Sequence, residues 1–182
     1  MVSIDDQILI AVRAWLKEAT DLPADQIVPA DDSGTRPDLP YITVQIVSSD
    51  IPAGWDERVW SVNDITGDLD QNIIGRRRGS VQIDGYGRGA YDQLSQAGLS
   101  LRLTPIRRLL RNRKLSVRKE GGIQDVSQLV DDEIEKRFTR DFAISYAVTY
   151  ADAIEDAAPG MDRFEGVFEF NDQEFTVIAN DQ

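Results

Sequence analysis

The longest regular pattern in the chain runs from Phe138 to Ile154. Here Phe142, Ile144, Tyr146, Val148 and Tyr150 alternate with Ala143, Ser145, Ala147, Thr149 and Ala151. A period of two with aromatic and β-branched residues predicts a strand, because successive side chains of an extended chain point to opposite faces. On a helix the same large residues would scatter around the axis. The run is far longer than the roughly five or six residues usual for a strand. It is expected to be the central strand of an antiparallel sheet, with its large face against helices and its small face open to close approach.

The N-terminal segment has the other period. Ile4, Ile8, Ala11, Val12, Trp15, Leu16 and Ala19 recur at helical spacing, Ser3 and Asp6 have the spacing of an N-cap pair, and Pro23 closes the segment. Trp15, on the apolar stripe, is expected in the core. After a Pro-, Asp- and Gly-rich loop from Pro29 to Pro40, Tyr41 to Ser48 reads as a strand with Ile42, Val44 and Ile46 on one face. Ser49 to Gly75 is a long polar excursion holding one short strand near Glu57 to Val62. Trp55 and Trp60 in it are candidate partner contacts, because a loop of this length in a compact domain usually has a function. A third strand is expected from Ser80 to Tyr86, preceded by Arg76-Arg77-Arg78.

Gly85-Tyr86-Gly87-Arg88-Gly89 then leads into a helix with Ala90, Leu94, Ala97 and Leu101 on one face. Strand, glycines and helix are the setting of a dinucleotide fingerprint, but the spacing is G-x-G-x-G and an arginine cluster stands where a ribose-binding acid belongs. The glycines are read as a turn. Thr104 and Pro105 start a second helix as N-cap and first helical residue, with Ile106, Leu109 and Leu110 inward and Arg107, Arg108 and Arg111 outward. Leu115 to Val117 is a short strand, Gly121 to Ser127 a turn, and Leu129 to Lys136 an acidic irregular stretch. After a connector from Glu155 to Asp162, Phe164 to Ala179 reads as a hairpin around Asn171-Asp172. The order α-β-β-β-α-α-β-β implies an α+β fold. Its mostly antiparallel sheet has about four to five strands, flanked by two to three helices, with a C-terminal β-hairpin extension.

Composition narrows the chemistry. The 182 residues contain no cysteine and no histidine, so disulfides, thiolate catalysis, the usual general base and the commonest zinc ligand are all absent. No apolar run approaches the ~20 residues that span a bilayer, and Met-Val-Ser-Ile-Asp-Asp does not read as a signal peptide. The acids Asp68, Asp70, Asp131, Asp132 and Glu133 could in principle hold Mg²⁺, yet none is placed at a strand end opposite a second acid, and neither a Walker loop nor a nucleophile elbow is present. No catalytic, cofactor or metal residue is assigned.

Charge is more informative. The net charge of −12 opposes general nucleic-acid binding. It is also segregated: Arg102 to Lys119 holds eight basic residues and no acid, whereas Asp141 to Gln182 holds ten acids and only Arg163 as a base. Such polarity suits a protein that stacks against oppositely charged surfaces. Arg107, Arg108, Arg111, Arg113 and Lys114 are therefore one expected contact surface, and Phe168, Phe170 and Phe175 of the hairpin, with Trp55 and Trp60, expected partner contacts.

Several local segments, taken in order, carry a family resemblance. They are Ala11 to Leu16 with Leu22-Pro23, Arg36-Pro37-Asp38-Leu39-Pro40-Tyr41-Ile42-Thr43-Val44, Arg78 to Gln82, Gly87 to Asp92, and Glu135 to Asp141. Together they resemble the neck or tail-terminator (tail completion) proteins of tailed bacteriophages. The resemblance covers roughly Ile4 to Glu155 and implies a tail-terminator-like domain over residues 1–157; the acidic β-hairpin extension over 158–182 lies outside it and rests on the pattern of its own residues. It further implies a structural virion protein and not an enzyme. In that family a homohexameric ring caps the tail tube and joins the head–tail connector or adaptor, meeting the tail sheath protein as well in contractile tails. Genomic DNA passes through the lumen without specific binding; no cofactor or membrane is involved, and the protein is in the host cytoplasm during assembly. Another head–tail joining or head-completion protein is the near alternative, and a Mg-dependent carboxylate enzyme the remote one.

Overall fold

A computed structural model describes residues 3–31, 34–62, 69–130, 133–152, 165–170 and 173–178. The first helix, α1 (Ile4–Thr20), begins as its sequence demands. The Ser3 hydroxyl accepts the Asp6 N–H at 3.1 Å and the Asp6 carboxylate accepts the Ser3 N–H at 3.3 Å, so two orphan donors at the helix start are satisfied. Its stripe of Ile8, Ala11, Val12, Trp15, Leu16 and Ala19 is buried. A 3-10 turn at Ala24–Gln26 then leads into β1 (Ile27–Pro29), which pairs in parallel with β2 (Tyr41–Pro52). This short edge strand went unread in the sequence because three residues carry no visible period.

The sheet is completed by β3 (Glu57–Val62), β4 (Leu69–Tyr86), β5 (Leu115–Asp125) and β8 (Arg137–Asp152), in the order β1-β2-β4-β8-β5 with β3 paired to β4 off this path. Two helices intervene, α2 (Ala90–Ser100) and α3 (Thr104–Asn112). Two further strand pairs form two-stranded sheets of their own: β6 (Gln128–Val130) with β7 (Glu133–Glu135), and β9 (Glu165–Phe170) with β10 (Gln173–Ile178). By compactness the chain divides into Met1–Glu57 with Ile74–Thr149, and Arg58–Ile73 with Tyr150–Gln182. The architecture is α+β and the sheet mostly antiparallel, with six strands.

The core lies in the first of these units. Ile42 and Val44 of β2, Val81 and Ile83 of β4, Phe142 and Ile144 of β8, and Leu115 and Val117 of β5 are all buried in one cluster with the apolar stripes of the three helices. Trp15 is at its centre, fully buried, edge-on to Phe142 with ring centroids 5.1 Å apart, its indole N–H donating to Ser100 Oγ at 2.9 Å. A buried indole N–H needs such a partner.

The structure corrects several boundaries. The alternating strand β8 has its large face inward as expected, but β4 is the middle strand and β8 lies one from the edge. β4 itself begins at Leu69, not Ser80. Its N-terminal half carries arginines that hide the alternation, and Arg77 is instead fixed across the strand by ion pairs with Asp50 and Asp56 at 2.9 and 2.6 Å. The chain does not turn at Gly121 to Ser127 either. β5 continues to Asp125 through an irregularity between Glu120 and Gln124, where Gly121 adopts φ +69°, a backbone state that glycine reaches without steric cost. The stretch read as irregular from Leu129 to Lys136 holds β7 and, with Gln128 before it, β6. The N-cap of α3 is Leu103 and Thr104 is already helical, so Pro105 is one residue further in.

The chain does turn on the glycines before α2. Gly87 and Gly89 have φ of +89° and +88°, making the strand-to-helix turn, while a Cβ at Gly85 would meet Ala90 Cβ at 3.0 Å. The glycines therefore serve close packing of β4 on α2. In the C-terminal hairpin Phe175 is opposite Phe168, and Gln173 is opposite Phe170. The connector at Glu155 to Asp162, the Asn171-Asp172 turn, and Asp68, Asp131 and Asp132 lie outside the described residues.

Candidate functional site: a basic groove

The arginines of α3 face outward for a simple reason. Ile106 and Leu110, one turn apart, must meet the core, which leaves Arg107, Arg108 and Arg111 exposed on the remaining surface. The helix ends at Asn112, Arg113 caps it, and Lys114 at φ +56° turns the chain sharply into β5. This reversal folds the strand back beside the helix. Between α2, α3 and β5 it leaves a groove of about 730 Å³ with an apolar floor of Leu101, Leu110, Leu115 and Val117.

Six cations line that groove: Arg102, Arg107, Arg111, Lys114, Arg118 and Lys119, with no acid among them. Of the five expected interface residues, Arg107, Arg111 and Lys114 are thus brought together, while Arg108 and Arg113 are exposed outside the lining. Arg102, Arg118 and Lys119 join them from α2's end and from β5. The ion pairs among the described residues engage Arg36, Arg76, Arg77 and Arg137, and none engages a groove cation. Six like charges around one concavity reinforce each other's potential and favour an anionic occupant.

The other expected contacts are elsewhere. Trp55 is 95% exposed and Trp60 is 55% exposed. The chain beside Trp55 is held by Arg77, whose hydrogen bond keeps the Asp56 carboxyl below its ordinary range, and by Arg76 to Glu57 at 3.5 Å. Phe168, Phe170 and Phe175 belong to the β9–β10 ribbon, whose pairing is described and whose side chains are not.

A polar cluster that sequence reasoning did not single out occupies a smaller cavity of about 240 Å³, lined by residues including Tyr41, Thr43, Asp84, Tyr86 and Arg137. The Tyr41 and Tyr86 rings stack at 4.5 Å with 9° between their planes, Arg137 lies over the Tyr86 ring at 5.3 Å, and Arg137 Nη2 donates to the buried Asp84 at 2.7 Å. Burial pushes both tyrosine hydroxyls above their ordinary pKa, partly offset by nearby arginines. Asp84 was visible as a polar residue between inward Ile83 and Gly85. Nothing in the sequence, however, linked it to an arginine more than fifty residues on.

Among the described residues no group of three or more acids is arranged to hold a metal ion, and no helix is long and apolar enough to cross a membrane. No curated protein matches the chain. The profile of the family described as phage neck terminator protein matches residues 6–167, from the first turn of α1 into β9. With that match spanning the sheet, the three helices and the basic groove, the chain belongs to the phage neck terminator proteins, a structural family of the virion.

Proposed function

We propose that this protein closes into a homohexameric ring that terminates the tail tube and joins the tail to the head connector. The family match gives the setting, and the basic groove, whose cations make no ion pair among the described residues, is the structural observation that supports assembly. A ring of identical subunits requires head-to-tail contacts, in which two different patches of the same chain meet and the rotation closes. A cationic groove and a strongly acidic C-terminal region provide two such patches on one chain. Arg107, Arg108, Arg111, Arg113 and Lys114 form the subunit contact in this reading. Trp55 and Trp60 contact the tail tube, the connector or the sheath, and the hairpin phenylalanines Phe168, Phe170 and Phe175 contact a neighbouring subunit or one of those partners. The net charge of −12 suits a lumen past which DNA slides without being held.

The test is light scattering across a wide concentration range with negative-stain imaging of the same samples. Six-fold rings with a central hole are expected. The triple variant Arg107→Glu, Arg111→Glu, Lys114→Glu should keep the far-UV spectrum and cooperative melting of the parent while losing rings or tube capping. Unchanged assembly in that variant would make the groove a solvated face. Another head–tail joining role is the second reading, favoured if the protein binds a connector but leaves tail tubes uncapped.

A further inference from the structure

Resting on the ring reading, we infer that β5 accepts β9 of a neighbouring copy as an added antiparallel or parallel strand, seated along the basic groove.

The first observation is an open edge. β5 terminates the sheet order, and among the described residues its only strand partner is β8. Its regular stretch runs from Leu115 to Glu120, paired residue by residue with β8 before the irregularity that follows. The outer N–H and C=O groups of such a stretch form a template for another strand. The groove is lined by five consecutive residues of β5, Leu115 to Lys119. Neighbouring side chains of a strand point to opposite faces, so what these five share is the strand's edge.

The second observation is the charge on that edge. Arg118 and Lys119 project to the two faces of β5, and Arg107, Arg111 and Lys114 approach from α3, all without an ion pair among the described residues. Two β5 edges from different copies would repel each other, so self-pairing is disfavoured. An acidic strand with apolar residues between its acids is what the edge and the apolar floor both favour. The chain contains that strand. β9 reads Glu165-Gly166-Val167-Phe168-Glu169-Phe170, six residues long, matching the regular stretch of β5.

The third observation is that β9 pairs only with β10 among the described residues. A two-stranded ribbon is marginal by itself, and adding a third strand is the usual way it gains stability. Docking the ribbon of one copy on β5 of the next gives a contact between two different patches, which is the heterologous kind a ring needs.

The absence of native cysteine makes the test clean. Two single-cysteine full-length variants, Val117→Cys on β5 and Phe168→Cys on β9, are mixed under mild oxidation and run on non-reducing gels. A disulfide-linked heterodimer of the two variants is expected for an antiparallel strand, and with Phe168→Cys replaced by Val167→Cys for a parallel one. Adding Arg118→Glu and Lys119→Glu to the first variant should cut the yield at least tenfold. Adding Glu165→Lys and Glu169→Lys to the second should restore it. No cross-link between copies at either position, or a link formed only within one chain carrying both cysteines, overturns the inference. Closed rings without the cross-link would leave the ring reading standing and sink the strand addition alone. Cross-linked open chains without closed rings would do the reverse.

Discussion

Single residues decide how tightly the core is tied together. Trp15 satisfies its indole N–H on Ser100 Oγ at 2.9 Å, and the Ser100 hydroxyl donates in turn to the Ala97 carbonyl at 2.7 Å. Ser100→Ala would leave a buried donor without a partner, which costs about 1–3 kcal/mol. Urea unfolding followed by tryptophan fluorescence should show a lower midpoint with an unchanged slope, and an unchanged midpoint would mean that water replaces the hydroxyl. Tyr41, Tyr86 and Tyr146 have pKa values raised chiefly by burial. The folded state therefore holds these protons more tightly than the unfolded chain. The stability they contribute is full below the ordinary tyrosine value of about 10 and is lost as pH rises through the higher folded values. Alkaline titration followed by tyrosinate absorbance should show these phenols ionising late and together with loss of secondary structure. Early, independent ionisation with the fold intact would count against buried rings. Trp15 in the core was legible from its place on a helical stripe. The Asp84–Arg137–Tyr86 cluster was not, because its members come from β4 and β8 and only strand pairing brings them together.

At the scale of elements, spacing and backbone chemistry fixed the helices almost to the residue, while strands ran longer than their apolar patterns. The reason is physical. A helix stripe and a capping pair such as Ser3 with Asp6 are local, whereas a strand persists wherever a neighbour supplies hydrogen bonds, even through arginines or glycines. β4 extends through Arg76 to Arg78 because β2 continues opposite it as far as Pro52. Gly79 is where this pairing is tightest, since a Cβ there would collide with the Ser48 carbonyl of β2 at the register shift. Gly79→Ala should destabilise by about 1–3 kcal/mol through overpacking against backbone. Hydrogen exchange should speed up selectively at amides around Ser48 and Ser80. Unchanged exchange there would show that the bulge absorbs the methyl group.

At the scale of the molecule, the segregation of charge becomes geometry. The basic run was plain in the sequence. Its concentration around one groove follows from the sharp turn at Lys114, which sets β5 beside α3 and adds Arg118 and Lys119 to the helix arginines. Deleting residues 162–182 should abolish a contact with a neighbouring subunit or tail component while the remaining chain still melts cooperatively. Scanning calorimetry and sedimentation measure the two effects separately. Loss of cooperative melting in the truncated chain would instead make the hairpin part of the folding unit.

Sequence by itself determined the periods, and with them α1, the inward faces of β2 and β8, the glycine turn before α2, the hairpin pairing and the family. Each of these rests on residues close together in the chain or on a pattern that repeats. Tertiary structure alone decided that β4 is the middle strand, that β1 joins in parallel, that β5 ends the strand order of the sheet, and which cations share a groove. Those features depend on which distant segments lie side by side. That choice is made by burying apolar faces and pairing backbone groups across the whole sheet, and no local stretch of the chain carries it.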